Sequence, residues 1–142
     1  MKADLAQEVF ARLPLEEAMP KLLPEAPAKA ALSNEVTTLD PTLQAAIWLY
    51  VDDLERSHAV SQGINTEEGS FWHGIMHRRE GDFSNAKYWF RRAGSLPSRL
   101  GLDPIALTDE VERHHRDNPP HLVDAQRREW KTLFDHCARE NR

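Results

Sequence analysis

The run FWHGIMHRREGDFSNAKYWFRRAG, Phe71 to Gly94, constrains the fold more than any other part of the chain. At 100° per residue its first half places Phe71, Trp72, Ile75 and Met76 on one apolar arc. Gly81 closes that helix and Asp82 caps the next. In the second half Phe83, Ala86, Trp89, Phe90 and Ala93 form the apolar face, and Gly94 stops it. Two short amphipathic helices joined by Gly-Asp form an αα-hairpin, and neither can bury its apolar face without a partner.

Further helices supply that partner. Asp40-Pro41 is an N-cap followed by proline at the first helical position, which predicts a helix over 41–62 ended by Gly63. Its apolar residues spread beyond one arc, so it is expected to be central. A helix over 68–80 follows Asn65-Thr66. Thr108 is expected to cap a short helix to Arg113, and His121–Arg139 forms the last one. Residues 2–12 read as a helix with Leu5, Val9 and Phe10 inward. Pro14, Pro20, Pro24 and Pro27 then leave short turns at Leu15–Met19 and Ala28–Leu32. No period-2 alternation occurs. The expectation is an all-α chain, one compact bundle of about five to seven helices over residues 1–142. Residues 1–36 form an irregular arm, either wrapped on the core or loosely docked, and 40–142 the helical core.

With 40% hydrophobic and 29% charged residues, the chain suits a soluble domain rather than a disordered one. The net charge of −5 argues against general nucleic-acid binding. That charge is uneven: −7 over residues 1–70, +3 over 71–92 and −1 over 93–142. One cysteine, Cys137, permits no internal disulfide. No apolar run reaches the ~18 residues of a membrane span, and the start has no signal-peptide core. The expected location is cytoplasmic.

Gly74, Gly81-Asp82-Phe83, Ala86, Phe90, Ala93 and Pro97 fall near the spacing of a tetratricopeptide or Sel1-type repeat, and residues 74–97 resemble one such unit. The resemblance implies partner binding through a helical hairpin. The longer string from Trp48 to Gly94 is similar to an uncharacterised family of small bacterial and fungal all-helical proteins, which implies one folded unit.

Three groups of side chains carry possible chemistry. His73 and His77 stand at i, i+4, with Glu80 continuing their edge and His58 on the preceding helix. That set could hold a divalent transition metal such as zinc. Arg79 falls inside the apolar arc, where a guanidinium needs a carboxylate or an anionic ligand. Asp53 or Glu80 is the expected partner; without one, Arg79 with Arg78 would bind a small anion. Lys87, Arg91 and Arg92 line the outer side of the second hairpin helix and could face a protein partner. Cys137 sits on an apolar face as inert packing.

The leading reading is thus a small-ligand or metal-binding protein, with a His/Arg-lined pocket between helices 41–62 and 68–80. A non-enzymatic interaction module using the 71–93 hairpin is the alternative, and a His-dependent enzyme the third.

Overall fold

A computed structural model describes residues 2–24 and 33–140, with side chains for 7–24 and 35–140. Among these residues no strand occurs, so the chain is all-helical as expected. Seven helices have eight residues or more: α1 (Lys2–Arg12), α3 (Pro41–Tyr50), α4 (Leu54–Ser61), α5 (Glu67–Arg79), α6 (Phe83–Arg92), α8 (Pro104–His114) and α9 (Pro120–Glu140). Two single-turn helices, α2 (Ser33–Val36) and α7 (Leu96–Arg99), join them. The expectations for Leu5 and for Ala28–Leu32 lie outside the residues described.

Helix α3 is the centre. Every residue from Ala45 to Tyr50 is buried, as a helix covered on several sides requires. The Trp130 indole N–H of α9 donates to the Ala46 carbonyl at 2.8 Å. Tyr50, Trp130, Phe134 and Phe10 pack as one aromatic cluster, with ring centroids 4.8–5.8 Å apart.

The helix expected over 41–62 is two helices. Val51 ends α3, Asp52 takes a left-handed φ of 65°, and Asp53 begins α4 by accepting from the Arg56 N–H. Asp is one of the few residues that tolerates this region. The break has a structural use, because it carries the Asp52 carboxylate to Arg79. A second correction concerns α8. It starts at Pro104, with the Asp103 side chain capping Ala106 N–H, whereas Thr108 is buried inside and donates to the Pro104 carbonyl.

Helices α5 and α6 form the expected hairpin. Thr66 caps α5 by accepting from Gly69 N–H, and Asp82 caps α6 by accepting from Asn85 N–H. Between them Gly81 holds a φ of 89°. Gly74 lets the helices meet closely, since a Cβ there would stand 2.5 Å from the Phe90 ring.

The segment after α1 is docked. Ala18, Met19 and Leu22 are buried. Asn118 accepts from Leu22 N–H and donates to the Pro20 carbonyl, both at 2.8 Å, and Arg127 donates to the Ala18 carbonyl. None of the helices described is long and apolar enough to cross a membrane.

Candidate histidine cluster

Helix α5 carries His73 and His77 one turn apart, and α4 runs alongside with His58. Their rings converge. Centroids are 4.8 Å apart for His58–His73, 5.2 Å for His58–His77 and 4.8 Å for His73–His77. One ring nitrogen from each lies within 4.8 Å of the other two. The three candidates proposed from helical spacing are therefore brought together. Three points so close share a centre within about 2.8 Å of each, against roughly 2.0–2.1 Å for a metal–imidazole bond.

The cluster is dry on one side and open on the other. His73 is 4% and His77 6% exposed, while His58 is half-buried. Trp89 of α6 stacks on His73 at a centroid distance of 3.8 Å and an angle of 11°. The Arg92 guanidinium lies over the other ring system of that column, 5.1 Å from Trp89. His73 Nδ1 is buried and has no hydrogen-bond partner among the described residues. Burial, then the neighbouring His77 and His58, pushes the His73 pKa down to about 4, so the ring is neutral near pH 7.

His77 is differently placed. Its Nδ1 lies 2.6 Å from Glu80 Oε1, and Asn85 Nδ2 stands over the ring, 3.2 Å from Nε2 and 3.5 Å from Nδ1. His77, Glu80 and Asp82 also form a three-residue group with ligand atoms within 4.8 Å. Sequence spacing placed Glu80 beside the histidines, but it did not single out Asn85 or Trp89 as their neighbours. The signal existed: Asn85 and Trp89 are four residues apart on α6, a stripe matching His73 and His77 on α5.

The arginines lie on the interior side. Arg79 is fully buried, and its Nη1 donates to the Leu49 carbonyl at 2.9 Å. Its Nη2 donates to the Lys21 carbonyl at 3.0 Å and meets Asp52 Oδ1 at 2.7 Å. The Asp52 contact is a charge pair lying off the hydrogen-bond axis. The expected structural pair is thus present, but its carboxylate is Asp52. Asp53 is used in capping α4 and Glu80 in holding His77. Burial pulls the Arg79 pKa down, with the Asp52 charge opposing. Arg78, also fully buried, makes a two-pronged pair with Glu129 of α9 and lies 5.5 Å from the Phe90 ring centroid. A small anion would have to displace Asp52 or Glu129 to reach either guanidinium.

On the outer face Lys87 pairs with Asp109 of α8 and stands 4.0 Å from Glu112. Arg91 and Arg92 are exposed, and Arg92 also meets the Tyr88 hydroxyl at 3.4 Å. Cys137 is buried and its thiol is pushed up to about 12, chiefly by that burial, which keeps it protonated and unreactive. Comparison with protein-family models, curated proteins and solved structures finds no match to this chain.

Proposed function

We propose that the chain binds one divalent transition-metal ion through His58, His73 and His77. The observation that carries this reading is the convergence of one ring nitrogen from each of three histidines, with the buried Nδ1 of His73 having no partner among the described residues. A buried polar atom left unpaired costs about 1–3 kcal/mol, and a metal bond at that nitrogen would remove the penalty. Closure of each ring by roughly 0.7 Å reaches bonding distance, a shift that small side-chain rotations supply.

Donor chemistry narrows the ion. Neutral imidazole suits zinc, copper, iron and nickel, whereas magnesium and calcium take oxygen ligands. Three protein nitrogens leave at least one coordination position for water or a small ligand. His58 is the half-buried member of the set, so that position lies toward solvent. A bound ion would polarise whatever occupies it. The chain's own part is to hold three imidazole rings, exclude water behind His73 with Trp89, and orient His77 with Glu80. The setting is a cytoplasmic one on this reading.

The test is calorimetric titration of zinc into the chelator-stripped full chain, beside a His73→Ala/His77→Ala variant. One equivalent is expected to bind the native chain and none the variant, with both retaining the same helical circular dichroism. Equal zinc uptake by the two, or none by either, would overturn the reading.

A further inference from the structure

On the reading of the histidine cluster as a metal site, we infer that α4 is a strap locked by the ion: His58 is the one ligand on α4, and its bond to the ion holds this helix to α5. The strap carries the solvent side of the site, so its lifting sets how the ion enters and leaves.

Burial singles out α4. Among the described residues it is the one helix of eight residues or more that buries no apolar side chain; its buried residues are Ser57 and Ser61. Leu54 and Val60 are only partly buried against the core. By contrast α3 buries seven residues and α5 eleven. Toward α3 the strap offers Ser57 Oγ, which donates to the Ala45 carbonyl at 2.9 Å, and the Arg56 guanidinium, 4.9 Å from the Trp48 ring centroid. At eight residues α4 is also shorter than the ~12–15 at which an isolated helix begins to hold itself. A helix with so little apolar burial opens at a free energy below that of the whole domain.

Both ends of the strap are anchored outside it. Upstream, Asp52 takes its left-handed turn and meets Arg79 at 2.7 Å. Downstream, Ile64 lies against the first turn of α5, where a Cβ at Gly69 would stand 2.5 Å from the Ile64 Cβ. A lift of residues 54–61 therefore leaves α3, α5 and the buried arginine pairs in place. It takes one ligand away and leaves two, because His73 and His77 stay on α5. Two nitrogens hold an ion more weakly than three, so a bound ion favours the docked strap by that difference. Linkage makes two quantities equal. The factor by which zinc suppresses opening of α4 is the factor by which loss of His58 weakens zinc binding.

Amide hydrogen exchange of the full chain, with and without zinc, tests this. In the metal-free chain the amides from Ser57 to Gln62 should be less protected than those from Ala45 to Tyr50 in α3. Zinc at a hundred times its dissociation constant should slow them by up to about a hundredfold. That factor should match the loss of zinc affinity in His58→Ala, where zinc should no longer slow these amides. His58→Gln, which fills more of the same space, serves if the alanine variant does not fold. Amides of α4 as protected as those of α3 without zinc, or zinc that binds at the cluster and leaves their exchange unchanged, would overturn the strap and leave the metal site standing. Absence of zinc binding in the native chain would overturn both.

Discussion

His73 concentrates the tension in the cluster. It is buried against Trp89 with two other imidazoles beside it, and its pKa is pushed down to about 4 from the ordinary 6.5. The unfolded chain therefore takes up a proton near pH 6.5 that the folded chain refuses until about pH 4. The stability owed to the neutral ring is complete above 6.5 and is lost as pH falls toward 4, on the order of 3 kcal/mol in all. Replacement by phenylalanine keeps the stacking and removes the titration. In urea titrations from pH 7.5 to 4, the native chain should lose more stability than His73→Phe, the gap growing below 6.5. Parallel pH profiles would count against this origin. The pair His73/His77 was legible because i, i+4 residues share a helix edge whatever surrounds them. Glu80 was legible for the same reason, whereas the place of Asn85 was not, because a contact across two helices depends on their crossing geometry and on capping by Asp82.

At the scale of elements, the hairpin of α5 and α6 is set by Gly74 and Phe90. Gly74→Ala would force the ring from a site where it also meets Phe71 and Arg78. The expected outcome is a loss of about 1–2 kcal/mol, after allowing roughly 1 kcal/mol gained in helix propensity. A lower urea midpoint with unchanged slope checks it, and a raised midpoint would show that Phe90 yields freely. This hairpin was readable in the sequence, since Gly81, Asp82 and Gly94 punctuate two clear apolar faces. The break between α3 and α4 was harder to see. Apolar and small residues run through 43–61 at helical spacing, and only the Asp52-Asp53 pair marks the interruption. Its cause is tertiary: Asp52 adopts a left-handed conformation where Arg79 needs a carboxylate. Thr108 misled in the opposite way, as a good cap residue that is used inside α8 instead.

At the scale of the molecule, buried arginines hold the cluster's rear wall in place. Arg79 ties α5 to the end of α3 and to Lys21 in the docked arm, and Arg78 ties it to Glu129 of α9. Removing one partner leaves an uncompensated buried charge, so Glu129→Ala should cost about 3–5 kcal/mol in equilibrium unfolding. A loss under 1 kcal/mol would show that the pair adds little. The all-helical class and a central α3 followed from hydrophobic period alone. The docking of residues 13–24 did not, because it depends on backbone carbonyls of Ala18 and Pro20 meeting Arg127 and Asn118 far along the chain. With the rear wall fixed, the metal site stands or falls on what occupies the space between the three rings. The most direct measurement is anomalous diffraction at the zinc edge from crystals of the full chain grown with saturating zinc. The account predicts a single strong peak about 2.0–2.1 Å from one nitrogen each of His58, His73 and His77. No peak there, with the three rings unchanged and zinc bound only elsewhere or not at all, would contradict it.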